Sequence, residues 1–278
     1  MRSVLRLILV FWATALPVAS AASLPRIVTL TPGIAEWTVE ILGKAQALKE
    51  LVGVSEYSNY PPELKKIAAL SVVPRFSIER IASLKPTLII ASEDANRPEQ
   101  VEKLRRLRLH VEVMPPEKFN GMEAWVRKLA GILNAPQGGR IAAKKWSDGI
   151  AELKRQSAHR VSEGGHPSEQ VFIQVQGSPI VTVGGASFLS EALQAIGDHN
   201  IFSDLKEAYP KVSREAVLKR NPDRIWILDA AASTEEIRES WKKFSGLKAV
   251  AKDQIEVLSA DDFARCSLRL LNALKRLH

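Results

Sequence analysis

Between residues 26 and 118, short apolar runs alternate with stretches whose apolar positions recur three and four residues apart. RIVTL, LVGVS, TLIIAS and HVEVMP predict strands, while IAEWTVEILG, SIERIASL and RPEQVEKLRRL carry the helical period. Continuous apolar strands linked by helical crossovers predict a parallel sheet covered on both faces. The pattern then changes. From Met122 to Val161 the chain reads as helix, with a break expected at NAPQGG (134–139). Within this region Ile141, Trp146, Ile150 and Leu153 are predicted to share one face. SEGGHPS (162–168) reads as a turn-rich linker. A second alternating unit follows, with strands at QVFIQVQ, PIVTVG, RIWILD and IEVLS. Its helices are SFLSEALQAIG, SREAVLKRN, TEEIRESWKKF and FARCSLRLLNALKRL.

The predicted fold class is α/β: two Rossmann-like lobes joined by a long rigid helix, with a ligand cleft between them. The expected boundaries are 22–121 for the N-terminal lobe, 122–167 for the connecting helical region and linker, and 168–278 for the C-terminal lobe. A stiff connection predicts little closure on binding.

One helix opening occurs twice. SIERIASLKP (77–86) and SREAVLKRNP (213–222) both run Ser, any residue, Glu, then six residues to a Pro, and each leads into a predicted core strand. Ser77 and Ser213 are suited to cap their helices, and Pro86 and Pro222 mark where each helix stops. Glu79 and Glu215 lie at cap plus two, not at the cap-plus-three position of a capping box. As first-turn carboxylates they gain about 0.3–1 kcal/mol from the helix dipole, which accounts for either glutamate alone. The same offset in both lobes favours a further role: two equivalent carboxylates that a two-fold symmetric partner could read together.

Charge and composition narrow the classes. The net charge is +8, and the basic residues are scattered along helical faces among comparable acids. A nucleic-acid interface would need a concentrated patch with interleaved aromatics, so no nucleic-acid partner is expected. MRSVLR, the apolar LILVFWATAL and the small residues Ala19-Ser20-Ala21 form a charged start, a short hydrophobic run and a cleavage signal. Residues 1–21 are thus predicted to be a signal peptide. The hydrophobic run is shorter than the ~20 residues that span a bilayer. Cys266 is the only cysteine, so no intrachain disulfide can form.

No catalytic constellation is legible. The five histidines lack metal-ligand spacing, GGASFLSE lacks the Gly-x-Ser-x-Gly spacing of a nucleophile elbow, and VGGASF is a weak anion-binding signal. Aromatic and polar residues do gather at predicted strand ends: Tyr57 and Tyr60 in SEYSNYPPE, Tyr209 in EAYPKVSRE, and Asp261, Asp262, Phe263 and Arg265 in SADDFARCSLR. In open α/β sheets, ligands bind beyond the carboxyl ends of the strands.

RIVTLTPGIAE, GVSEYSNYPPE, SIERIASLKPTLIIA, NIF (200–202), YPKVSREAVLKRNPDRIWI and DDFAR together carry a resemblance that covers nearly all of the chain after the signal. It resembles the periplasmic substrate-binding proteins of ABC importers for cobalamin and iron complexes. The resemblance implies a monomeric, non-enzymatic periplasmic protein without a cofactor of its own. It would carry cobalamin, or alternatively haem or a ferric siderophore, to an importer permease dimer. Glu79 and Glu215 fall at the family's permease-docking glutamates. The ligand-binding pattern maps onto Tyr57, Tyr209 and Asp261, Asp262, Phe263, Ala264 and Arg265. Tyr209, Val73 and Ser92 stand where cobalamin-binding members carry tryptophans, and Ile196 takes one cysteine position of a disulfide that Cys266 does not restore. For an anionic chelate, Arg75, Arg97 and Arg265 are the candidate cleft cations. An exported α/β enzyme is the rival of another class.

Overall fold

In the computed structural model, residues 24–72, 75–162, 168–229 and 234–277 are described. The predicted signal peptide, Val73 and most of the 162–168 linker lie outside them. The first sheet comprises β1 (Ile27–Thr29), β2 (Leu51–Ser55), β3 (Ala68–Leu70), β4 (Leu88–Ser92) and β5 (Val111–Met114). All its pairings are parallel, in the order β3-β2-β1-β4-β5. The chain builds outward from β1 in one direction and then returns to add β4 and β5 on the other side. A topological switch therefore falls between β1 and β4. The crossovers carry α1 (Pro32–Leu42), α2 (Lys44–Glu50), α3 (Ile78–Ser83) and α4 (Pro98–Arg106).

Two helices follow, α5 (Met122–Ile132) and the 27-residue α6 (Pro136–Ser162). The predicted break is confined to Asn134, which turns at φ 51°, and Ala135. Gly138 and Gly139 are helical. A Cβ at Gly138 would stand 1.9 Å from the Ile41 carbonyl oxygen, so this glycine lets α6 lie directly against the end of α1. The buried stripe of α6 runs through Ala142, Ala143, Trp146 and Leu153. Ile141, predicted to share it, is 53% exposed: the small residues one and two positions on take the inner face because α1 and α5 approach so closely.

The second sheet holds β6 (Gln170–Gln176), β7 (Val181–Thr182), β8 (His199–Asn200), β9 (Arg224–Asp229) and β10 (Ile255–Ser259), in the order β10-β9-β6-β7 with β8 also on β6. Among the described strands only the β6–β7 pairing is antiparallel. Its helices are α7 (Phe188–Ala195), α8 (Arg214–Arg220), α9 (Thr234–Lys242), α10 (Lys248–Ala251), α11 (Ala260–Phe263) and α12 (Leu268–Arg276). FARCSLRLLNALKRL, predicted as one helix, is divided: α11 ends at Phe263, and Ser267 caps α12 by accepting from Arg269 N–H.

The repeated openings fold alike. Ser77 and Ser213 accept from Arg80 and Ala216 N–H, three residues on. Each helix is followed by a left-handed residue immediately before its proline, Lys85 at φ 48° and Asn221 at φ 46°. The chain then enters β4 or β9.

A single apolar core crosses the lobes. It includes Ile27, Ile34 and Trp37 of the first, Trp146 and Leu153 of α6, Val171, Ile173 and Trp226 of the second, and Leu270 and Leu271 of α12. Trp146 packs edge-on against both Trp37 and Phe119, with ring centroids 5.8 and 5.1 Å away. Separate clusters fill the outer face of each sheet. Gly138→Val should therefore force α6 off α1 and cost about 1–3 kcal/mol or more, measurable as a lower urea midpoint with an unchanged slope.

Candidate functional site

The carboxyl ends of the strands in both sheets converge on one cleft of about 930 Å³. From the first lobe come Thr31–Gly33 after β1, Tyr57 after β2, Ser92 and Asp94 at the end of β4, and Glu117 after β5. The turns after β1 and β4 flank the topological switch, where open α/β sheets bind ligands. From the second lobe come Ser187 and Phe188 at the start of α7, Tyr209, and Asp261, Ala264 and Arg265 around α11.

Five of the seven residues expected to bind ligand thus line the cleft: Tyr57, Tyr209, Asp261, Ala264 and Arg265. The other two do not. Phe263 is buried against Trp226, 6.0 Å between ring centroids. Asp262 is turned to α12, accepting from Arg269 at 2.7 Å and from Arg276 at 3.0 Å. A single helical turn cannot point four consecutive side chains into one space. Tyr57 and Tyr209 remain 52% and 47% exposed. Tyr60, equally exposed, lies outside the cleft lining under the Arg269 guanidinium, 4.8 Å from it. Ser92 lines the cleft but directs its hydroxyl to Asp94.

Arg265 forms the tie between the lobes. Its Nη1 donates to Glu36 Oε1 and Asn59 Oδ1, each at 2.8 Å. Its Nη2 donates to the Tyr57 carbonyl at 2.7 Å and to Asp261 Oδ1 at 2.6 Å. Asn59 in turn donates to Asp261 Oδ2, and Ser267 donates to the other oxygen of Glu36. Trp37 Nε1–H donates to the Cys266 carbonyl at 2.8 Å. Glu36 and Arg265 are 5% and 7% exposed, so neither charge has water as an alternative partner. Arg75 and Arg97, the other candidate cations for an anionic chelate, are not among the cleft residues.

Glu117, Asp94 and Lys118 line the cleft and were not singled out from the sequence; in PPEKFN nothing marks the glutamate. Burial pushes its carboxyl up to about 8, reinforced by Asp94 and Glu36 and opposed by the Cys266 N–H. Burial also raises the Tyr209 phenol above its ordinary value of 10.0 and the Cys266 thiol well above 9.0. At the starts of α3 and α8, Glu79 and Glu215 are exposed, and both carboxyls are lowered by their own backbone N–H groups and the capping serines.

Two α/β lobes, a continuous helix and a cleft fed by strand ends from both sides define a ligand-capturing protein of the two-lobe class. Residues 27–261 match the family model described as periplasmic binding protein, and the chain belongs to that family of substrate-binding proteins of ABC importers. It is 32% identical over 253 residues to the vitamin B12-binding protein of Salmonella typhi, spanning 91% of this chain and 88% of that one. Identity to the vitamin B12-binding protein of Vibrio cholerae is 30% over 251 residues, 90% and 87% of the two chains. The crystal structure of the periplasmic vitamin B12-binding protein of Vibrio cholerae superposes with a TM-score of 0.75 at 30% identity, covering 91% of this chain and 94% of that one. A periplasmic haem-binding protein from Roseiflexus sp. RS-1 shares the fold, with a TM-score of 0.79, 24% identity and coverage of 91% and 96%.

Removing the central guanidinium would leave buried Glu36 with Arg269, 3.4 Å away, as its remaining counter-ion, and breaking a buried ion pair typically costs about 3–5 kcal/mol. Arg265→Ala should lose stability on that scale in urea unfolding and widen the separation of the lobes in solution scattering.

Proposed function

We propose that the protein captures cobalamin in the periplasm and hands it to an ABC importer. Export through the N-terminal signal, residues 1–21, is part of this reading. The observation that carries it is the electrical character of the cleft. The one guanidinium lining it among the described residues, Arg265, is already spent on Glu36, Asn59, Asp261 and a carbonyl. Among the described residues the other cation of the cleft is Lys118, offset in the same lining by Asp94 and Asp261, and an anionic chelate finds no cluster of free arginines there. A large, amide-rimmed cargo of little net charge suits such walls, with Tyr57 and Tyr209 offering apolar faces at the mouth. The vitamin B12-binding relatives at 30–32% identity support the same cargo.

Haem is the second reading, favoured by Tyr209 standing in the cleft where a phenol could approach ferric iron. The raised phenol works against it, since iron prefers the phenolate. Titration of the purified protein with cyanocobalamin, followed by tryptophan fluorescence and calorimetry, is expected to show saturable one-to-one binding at submicromolar affinity. Haem binding with a ferric-tyrosinate absorption band and no cobalamin binding would reverse the order.

For delivery, Glu79 and Glu215 present equivalent exposed carboxylates at equivalent helix starts, one per lobe. A monomer would thereby offer two prongs to a two-fold symmetric permease. Glu79→Ala combined with Glu215→Ala should preserve cobalamin affinity and abolish stimulation of the importer's ATPase; full stimulation would reduce both residues to helix-start charges.

A further inference from the structure

Glu117 holds a position that its sequence context does not announce. It follows β5 in the wall where the two lobes meet, and its Oε2 accepts the Cys266 N–H at 3.1 Å. Its Oε1 rests over Gly33, where a Cβ would stand 2.5 Å from it, so only glycine at the head of α1 leaves the carboxyl its place. Oε1 has no hydrogen-bond partner among the described residues, and both Glu117 and Gly33 line the cleft.

Among the described residues no cation pairs with this carboxyl. Lys118, its neighbour, makes no ion pair with it, and Arg265 is committed to the interlobe tie. The groups acting on it are Asp94 from the turn after β4 and Glu36 from α1, with the Cys266 N–H between α11 and α12. The Tyr209 phenol feels its charge from across the cleft, and Glu191 of α7 acts on the adjoining Cys266 thiol. Acids and neutral groups surround a half-buried acid, the arrangement that keeps a carboxyl protonated and able to donate.

We propose that Glu117 is a cargo-binding residue that works as a neutral acid, its Oε1–H donating to an amide carbonyl oxygen on the rim of the cargo while Oε2 stays on the Cys266 N–H. This rests on the cobalamin reading, because a corrinoid carries such carbonyls around its ring. Ionisation removes the donor and sets a negative charge against an acceptor oxygen. The residue therefore makes cargo selection depend on its protonation: acceptor-rimmed molecules are held, and carboxylate-bearing ones are held only while Glu117 keeps its proton.

Cyanocobalamin affinity measured by calorimetry at pH 6, 7, 8 and 9 provides the test, on the wild type and on Glu117→Gln, which keeps a donor and cannot ionise. With the carboxyl titrating at about 8, the wild type should weaken about tenfold between pH 7 and pH 9, while E117Q holds its affinity across the range. Tyr209, raised above 10.0, stays protonated throughout. Equal pH profiles in the two proteins would overturn the inference and leave the cobalamin reading standing. No binding by either protein at any pH would overturn the cobalamin reading and this inference with it. Thermal unfolding gives a ligand-free readout. A carboxyl raised from 4.5 to about 8 by folding contributes stability at low pH that is lost as pH rises through that window. The wild type should accordingly fall behind E117Q between pH 5 and pH 8, and parallel profiles would show that Glu117 is not the neutral acid proposed.

Discussion

The pairing of Arg265 with Glu36 is the constraint on which the rest of the structure turns. A charge at 7% exposure and another at 5% have each given up water, and their mutual contact, their neutral partners and the flanking charges of Asp261 and Arg269 compensate. Those partners are distributed in a way that matters. Glu36, Asn59 and the Tyr57 carbonyl belong to the first lobe, while Asp261 and Arg265 follow the last strand of the second. One guanidinium therefore fixes the turn after β2, the flank of α1 and the start of α11 in a single geometry. Because its fork donates in a plane, each acceptor must lie in a set direction. Tyr57 and Asp261 are held at the cleft wall by the same bonds that join the lobes.

The character of the cleft follows from that expenditure. The guanidinium that would otherwise dominate the local field is neutralised before any ligand arrives. What remains facing the space includes two phenols, Asp94, Lys118, and a glutamate without a counter-ion among the described residues. Burial next to other acids disfavours the ionised form of that glutamate. The site thus has polar orientation with little net charge, which distinguishes it from one built to hold an anionic chelate through free arginines.

Much of this was readable from the chain. Apolar runs such as TLIIAS and RIWILD became parallel strands because burial on both faces leaves no room for alternation. The twin openings became twin helices down to the left-handed residue before each proline. Tyr57, Tyr209, Asp261 and Arg265 were reachable because ligand sites in this fold class follow strand ends. Other features depended on contacts that no local pattern contains. Ile141 looks like a core residue by type, yet the face it would occupy belongs to Ala142 and Ala143, whose smallness only the neighbouring helices explain. The break at Arg265-Cys266-Ser267 follows from backbone groups needed elsewhere: the Cys266 carbonyl by Trp37 and its N–H by Glu117. Glu117 itself is defined by Gly33, more than eighty residues away.

The shared core gives the two-lobed plan a different meaning. Lobes with the same helix openings and a similar alternation of strand and helix look like separable modules. Yet Trp37, Trp146, Trp226 and Leu271 belong to one apolar body, and the terminal helix α12 returns to pack on α6 and beside α1. Cutting the chain at the linker would expose an interior on each side, because neither half has a closing surface of its own. The resemblance of the halves is one of plan and not of autonomy: each lobe is the solvent shield of the other.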